Sequence, residues 1–174
     1  MSSNPLVSVI TPTFNRADYL PFAVESVLSQ SVPDFELIVI DDGSTDGTAE
    51  LMERYLVDSR IRYLKQENQG QSVARNVALA EASGDFICFL DSDNYWPLDK
   101  LEKQVGVFEQ HPEVDVLYGG NVIINEQGAE ISRRNMSRYS GRIAARMIRD
   151  NCVAMNTTMA RRRCFDEMGG MSGK

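Results

Sequence analysis

Hydrophobic runs and helix-type periodicities alternate along the first 120 residues of the chain. Short apolar runs typical of buried strands cover residues 6–11, 35–40, 61–64, 85–90 and 114–118. Apolar side chains recur at helical spacing over about 18–30, around 51–55, over about 71–82 and over 99–110. Pro21 fits only the first turn of its helix, and we expect Ser44 or Thr45 to cap the helix that contains Leu51. The alternation predicts an α/β fold, with a mainly parallel, Rossmann-like sheet covered by helices on both faces.

The pattern loosens beyond Gly119. Residues 121–124 and 152–160 are predicted as further strands, with a turn at 126–128. Residues 140–150 are predicted as a basic amphipathic helix. We expect this part to extend the sheet, so that residues 1–174 form a single domain.

Composition and charge exclude several kinds of protein. The longest apolar run, 86–90, is too short for a membrane helix, and no secretory signal is expected from the first residues. One histidine and three scattered cysteines do not support a zinc site, and the cysteines suit a cytoplasmic location. The net charge is −7, although residues 1–130 carry −14 and residues 131–174 carry +7. The acidic part is a poor match for nucleic acid, whereas 142–149 could rest on the inner face of an anionic membrane or pack as an ordinary helix.

Polar side chains follow three of the predicted strands. They lie at 11–15 (TPTFN), 41–44 (DDGS) and 91–94 (DSDN). Because ligands of open parallel sheets bind at the carboxyl ends of the strands, we expect these three segments to form one site.

Two of these segments carry carboxylates suited to a polar ligand. Asp91 and Asp93 are two residues apart and share one side of an extended chain, which suits Mg²⁺ or Mn²⁺ completed by a diphosphate. The alternative is that one of them caps a helix and the other is merely solvated. Asp42 could accept hydrogen bonds from a base or a ribose, or could simply belong to the turn around Gly43.

Arg75 precedes the fourth predicted strand. Its planar guanidinium suits a phosphate or a base carbonyl, but the spacing alone favours a surface arginine paired with Glu67, Glu81 or another acid. The sequence contains neither a P-loop nor a Ser-His-Asp or Cys-His set. The residues alone therefore predict an α/β domain that binds a nucleotide or a diphosphate together with a divalent cation.

Four sequence strings carry a family resemblance. They are VSVITPTFNR (7–16), FELIVIDDGSTDGT (35–48), NQGQSVARNVAL (68–79) and GDFICFLDSDNYWP (84–97). In this order they resemble the family 2 glycosyltransferases of GT-A fold, and the resemblance continues through 161–170. It implies metal-assisted transfer of a sugar from a nucleotide-diphosphate donor to a saccharide or lipid-linked acceptor, as in surface polysaccharide synthesis.

The resemblance also implies roles for individual residues. Pro12, Phe14 and Asp42 match positions that hold the nucleotide base, and Arg75 matches an arginine near the base and phosphates. Asp91 matches a carboxylate at the ribose or the metal shell, and Asp93 matches the ligand of Mn²⁺ or Mg²⁺. Residues 6–120 would then form the donor-binding part, and residues 121–174 would begin the acceptor-side part.

This chain departs from the family pattern at two points. Asn94 stands where the family commonly has a third acidic residue. The general base is expected beyond Lys174, so an alternative function is a nucleotide- or nucleotide-sugar-binding module without turnover. A nucleotidyltransferase is less well supported because residues 11–16 contain no glycine, and a phosphoacceptor receiver domain would leave the Asp91/Asp93 pair unexplained.

Overall fold

A computed structural model describes residues 4–125, 127–134, 139–141, 143 and 153–171. The strands are β1 (Val7–Thr13), β2 (Phe35–Asp41), β3 (Ile61–Lys65), β4 (Phe86–Phe89), β5 (Val116–Leu117), β6 (Asn121–Ile124), β7 (Glu130–Arg134) and β8 (Met159–Arg161). The helices are α1 (Leu20–Leu28), α2 (Thr48–Glu53), α3 (Gln71–Glu81), α4 (Lys100–Gln110) and α5 (Arg163–Met168), with a 3₁₀ turn at Met155–Thr157.

Six strands form the main sheet in the order β3-β2-β1-β4-β8-β5. Neighbouring strands among the first four pair in parallel, whereas β8 pairs antiparallel with both β4 and β5. The mainly parallel sheet predicted from the alternation is confirmed. The strand predicted over 152–160 was too long, because the 3₁₀ turn precedes a β8 of only three residues.

Hydrophobic cores lie on both faces of the sheet. Every residue of β1 and β2 is buried, which explains why these strands have continuous apolar runs. One core packs α1, α2 and α4 against one face, and the other packs α3 against the opposite face. Helices on both faces are therefore confirmed, and both surfaces of the central strands are protected from water.

The first turns of α1 and α2 can be compared with the predictions made from the sequence. Pro21 lies in the first turn of α1, as predicted. The prediction that Ser44 or Thr45 caps α2 was wrong, because the N-cap residue is Gly47, which has no side chain to cap the helix. The backbone N–H of Thr48 donates to Asp46 Oδ1 at 3.0 Å, and the hydroxyl of Ser44 accepts from the N–H of Asn15 in the loop after β1.

Glu36 is the centre of a buried polar cluster at the amino ends of the strands. Its Oε1 accepts from the Ser8 hydroxyl at 2.6 Å and from the Ser83 N–H and hydroxyl at 2.6 and 2.8 Å. Gly84 N–H in turn donates to Ser8 Oγ at 2.8 Å. Burial raises the pKa of Glu36, but the hydrogen bonds from Ser8 and Ser83 and the charge of Arg62 outweigh it and lower the pKa below its ordinary value of 4.5.

The part of the chain beyond Gly119 is only partly described. Strands β6 and β7 form a separate antiparallel hairpin, which confirms the strand at 121–124. Of the basic helix predicted over 140–150, only residues 140, 141 and 143 lie within the described residues, so that prediction falls outside them. Among the helices of the described residues, none is both long enough and apolar enough to cross a membrane.

Candidate nucleotide and cation site

A cleft of about 480 Å³ opens at the carboxyl ends of β1, β2 and β4. Five residues that the sequence analysis singled out line it: Pro12, Phe14, Asp42, Asp91 and Asp93. Six further residues complete the lining: Thr13, Arg16, Asn68, Gly70, Gln71 and Ser92. The three polar segments predicted to converge at one edge of the sheet therefore do converge.

The loop after β1 is held in place by Asn15. This residue has a φ of +51°, a left-handed conformation that asparagine tolerates better than most residues. Its N–H donates to Ser44 Oγ at 2.9 Å, and its Oδ1 accepts from the N–H of Thr45 at 2.8 Å. The loop after β1 is thereby tied to the loop after β2, and Phe14 lines the cleft with 45% of its surface exposed.

Asp42 organises the loop that forms another wall of the cleft. One carboxylate oxygen accepts from Gln66 Nε2 at 2.7 Å and from the N–H of Gln69 at 2.9 Å, and the other accepts from the N–H of Gly70 at 2.8 Å. A carboxylate has about four acceptor positions, so these three donors leave about one for a ligand. Asp42 lines the cleft although it is only 4% exposed.

Asp41 is responsible for the turn beside this carboxylate. It is fully buried, and its side chain accepts from the Ser44 N–H at 2.7 Å and from the Tyr63 hydroxyl. Burial, together with the hydrogen bond to Asp41 and its charge, raises the pKa of Tyr63, which keeps the phenol protonated. Because Asp41 holds the turn, the neighbouring Asp42 can face the cleft.

Asp91 is surrounded by hydrogen-bond donors. Its Oδ1 accepts from Arg75 Nη2 at 2.6 Å and from Gln71 Nε2 at 3.1 Å, and its Oδ2 accepts from Asn156 Nδ2 at 2.9 Å. Arg75 is buried and does not line the cleft, so the alternative of a surface arginine was wrong, although Arg75 does pair with another acid, Asp91. Asp91 is a fixed, hydrogen-bonded carboxylate at the end of β4.

Asp93 differs from Asp91 because its carboxylate is half exposed. Its neighbours are Arg16 Nε at 3.9 Å and Asn94 Nδ2 at 3.2 Å. In the described part of the chain, no group of three or more His, Cys, Asp or Glu side chains could enclose a metal ion. Mg²⁺ in proteins is usually bound through one or two carboxylates, with substrate phosphates and water as the remaining ligands. Asp93 is the more exposed of the two carboxylates that follow β4.

The sequence analysis gave no individual role to two polar residues of the site, Asn156 and Thr13, although Thr13 lies in the segment 11–15 that was expected there. Asn156 lies in the 3₁₀ turn that had been predicted as strand, and it contacts both the backbone and the side chain of Asp91. Thr13 lines the cleft, and its buried hydroxyl has no hydrogen-bond partner within the described residues. The place of Thr13 at the end of a predicted strand, next to Phe14, could have indicated that it lines the site. Nothing in the sequence around Asn156 indicated a contact with Asp91.

Comparison with known proteins gives a family match over most of the chain. The family model described as glycosyl transferase family 2 matches residues 8–169. The putative teichuronic acid biosynthesis glycosyltransferase TuaG of Bacillus subtilis is 54% identical over 58% of this chain and 41% of its own. The UDP-Glc:alpha-D-GlcNAc-diphosphoundecaprenol beta-1,3-glucosyltransferase WfgD of Escherichia coli is 41% identical over 69% of this chain and 47% of its own.

Solved structures show the same fold. The S. aureus TarS fragment 1–349 in complex with UDP-GlcNAc superposes with a TM-score of 0.75 and 27% identity, over 94% of this chain and 47% of that one. The mannosyltransferase PcManGT from Pyrobaculum calidifontis gives a TM-score of 0.72 at 22% identity, over 98% of this chain and 48% of that one. The GT-A fold expected from the sequence resemblance is confirmed. This chain spans less than half the length of each of these four proteins.

Proposed function

The chain belongs to glycosyl transferase family 2, and from that premise we propose that its cleft binds a nucleotide-diphosphate sugar and a divalent cation for transfer of the sugar to an acceptor hydroxyl. The observation that carries the proposal is the convergence of three strand ends on one cleft, with a fixed carboxylate at Asp91 and an open one at Asp93. Residues 6–120 supply this donor-binding part, and residues 121–174 begin the acceptor-side part.

The nucleoside is held by the loops after β1 and β2. Phe14 is exposed enough to stack on a base, and Pro12 lies beside it on the same cleft wall. Asp42 accepts from a base N–H or a ribose hydroxyl through the acceptor position that its loop contacts leave open. Arg75 acts from behind the cleft, because its guanidinium is committed to Asp91.

The diphosphate is held at the end of β4. Asp91 stays fixed by its three donors and is available to the ribose, while Asp93 is the carboxylate that would hold Mn²⁺ or Mg²⁺. A bound cation stabilises the negative charge that develops on the nucleoside diphosphate when the sugar–phosphate bond breaks. Arg16, near Asp93, adds a positive charge at the mouth of the cleft.

Relatives support a role in bacterial surface polysaccharide synthesis. TuaG is named for teichuronic acid biosynthesis, WfgD for transfer of glucose from UDP-Glc to a diphosphoundecaprenol-linked sugar, and TarS has been solved with UDP-GlcNAc. We infer by analogy a nucleotide-sugar donor and a saccharide or lipid-linked acceptor. A binding module without turnover has the same donor site, so the two functions differ only in whether sugar is released.

The proposal is tested by calorimetric titration of the chain with UDP, dTDP and GDP, each with and without Mn²⁺. We expect one nucleotide to bind more tightly when Mn²⁺ is present, and Asp93→Asn to abolish that gain because the amide cannot replace an anionic ligand. The matched control is Asp34→Asn, which removes an equal charge from an exposed position before β2, at the opposite edge of the sheet.

Two results would contradict the proposal. The first is nucleotide binding that depends neither on Mn²⁺ nor on Asp93. The second is an equal loss of binding in Asp34→Asn, which would point to overall charge instead of a specific ligand. Donor hydrolysis or sugar transfer by the chain would separate an enzyme from a binding module.

A further inference from the structure

Asn156 joins the two ends of the loop that carries Asp93. Its Oδ1 accepts from the backbone N–H of Asp91 at 2.7 Å, while its Nδ2 donates to Asp91 Oδ2 at 2.9 Å. The backbone carbonyl of Asn156 accepts from the indole Nε1–H of Trp96 at 2.8 Å. One residue of the 3₁₀ turn thus makes three hydrogen bonds to the segment 91–96.

The two ends of segment 91–96 are more firmly held than its middle. At one end, Asp91 continues directly from β4 and also binds Arg75. At the other end, Trp96 is buried, and Lys100 Nζ lies 3.9 Å from the centroid of its ring. Asp93 lies between these ends and is half exposed. The position of Asp93 therefore depends on how its two flanking residues are fixed.

The turn that carries Asn156 is itself well supported. Gln104 Nε2 of α4 donates to the carbonyl of Thr157 at 2.8 Å. The Thr157 hydroxyl donates to the carbonyl of Ala154 at 2.8 Å and accepts from the N–H of Gly119 at 3.2 Å. Asn156, which belongs to residues 121–174, is consequently anchored through its turn to α4 and Gly119 of the donor-binding part.

From this geometry we infer that Asn156 is a positioning residue for Asp93, and that it fixes the loop 91–96 in the arrangement that binds the cation and the diphosphate. The inference rests on the proposed function, since it assigns the cation to Asp93. It deepens that function by making the donor site depend on a residue outside the donor-binding part. Groups that orient a metal ligand without touching the metal commonly contribute 10- to 100-fold to metal affinity or activity.

The test compares the parent chain with Asn156→Ala, Asn156→Asp and the control Asn125→Ala, which removes the side-chain hydrogen bonds of an exposed asparagine in the turn between β6 and β7. The first readout is amide hydrogen exchange of the segment 91–96 without ligand, which should become about tenfold faster in Asn156→Ala because the hydrogen bonds at both its ends are weakened or lost. The second readout is the factor by which Mn²⁺ tightens nucleotide binding, called the Mn²⁺ factor below. We expect this factor to fall about tenfold in Asn156→Ala.

The variants separate positioning from general damage to the fold. Asn156→Asp keeps an acceptor for the Asp91 N–H but places a carboxylate against the Asp91 side chain, so the Mn²⁺ factor should fall at least as far as in Asn156→Ala. Asn125→Ala, which removes an equivalent side chain away from the loop, should keep both readouts within about twofold of the parent. If Asn156→Ala fails to fold, Trp96→Phe removes the indole hydrogen bond together with part of the buried ring, and it should show a smaller change in the same direction.

Each outcome decides the inference. Faster exchange with an unchanged Mn²⁺ factor would overturn it, because the loop would be loosened without consequence for Asp93. Unchanged exchange in Asn156→Ala would also overturn it. A parent chain that binds no nucleotide with Mn²⁺ would refute the proposed function and the role of Asp93 in it, whereas the exchange data would still show separately whether Asn156 holds the loop.

Discussion

The ion pair between Arg75 and Asp91 links α3 to the end of β4, and its removal is expected to destabilise the fold. The Arg75 Nη2 to Asp91 Oδ1 distance is 2.6 Å, and the side chains are only 11% and 26% exposed. Arg75→Met keeps most of the length of the side chain but removes the guanidinium. The carboxylate of Asp91 then loses its charged partner and keeps the amide donors of Gln71 and Asn156.

The expected cost follows from this partial burial. Breaking a fully buried ion pair costs about 3–5 kcal/mol, whereas an exposed pair contributes about 0–1 kcal/mol. A charged hydrogen bond contributes about 1.5–3 kcal/mol. Because Asp91 is about one quarter exposed and keeps two donors, we expect Arg75→Met to lower the free energy of unfolding by about 2 kcal/mol. With a urea dependence of about 2 kcal/mol per molar, the urea midpoint falls by about 1 M.

Urea unfolding can be followed by fluorescence of Trp96, the single tryptophan of the chain, which is buried near the site. The matched control is Arg163→Met, because Arg163 pairs with Asp115 at 2.5 Å while both side chains are more than half exposed. We expect the control to leave the midpoint unchanged. Equal midpoints for Arg75→Met and Arg163→Met would refute the reasoning, since burial would then not determine the strength of the pair.

Three further predictions concern the fold and the cleft. Because folding lowers the pKa of Glu36, its carboxylate stabilises the folded state at pH values above its ordinary pKa of 4.5, and this contribution is lost as the pH falls through the folded pKa. Glu36→Gln should therefore make the urea midpoint fall less steeply as the pH is lowered. Gly84→Ala would place a Cβ 2.6 Å from the backbone nitrogen of Ser8 and should cost about 1–3 kcal/mol in urea unfolding. The control Gly106→Ala, inside α4 and with open space around its Cβ, should not destabilise the fold. Phe14→Ala should weaken nucleotide binding about tenfold in calorimetry and leave the thermal midpoint unchanged, because the ring is half exposed and contributes stacking to the ligand more than packing to the core.

The regular part of the fold was predictable from local sequence. Strands β1, β2 and β4 are buried on both faces, so their sequences are mostly apolar and easy to recognise despite buried polar residues such as Ser8 and Glu36. Their ends carry the polar residues of the cleft, and the topology rule for parallel sheets was enough to place Asp42, Asp91 and Asp93 at one edge. Short-range patterns therefore predicted both the sheet and the location of the site.

The contacts made by individual side chains were not predictable in the same way. Arg75 and Asp91 are 16 residues apart and Asn156 is 65 residues beyond Asp91, so their pairing depends on how the strands are ordered in space. The cap of α2 was also mispredicted, because Ser44 and Thr45 are good capping residues but bind Asn15 of the loop after β1, and the helix begins after Gly47 instead. Residue type predicted the kind of chemistry, and the tertiary structure decided which partner each group has.

The central claim is that Asp93 holds a divalent cation together with a nucleoside diphosphate. Electron paramagnetic resonance of Mn²⁺ tests it directly, because the signal of free Mn²⁺ decreases when the ion is bound. We expect the chain and one of UDP, dTDP or GDP together to remove more of the free signal than the sum of their separate effects, and Asp93→Asn to abolish this excess. An excess of the same size in Asp93→Asn would contradict the account. The cation would then be held without the half-exposed carboxylate of Asp93 that lines the cleft after β4.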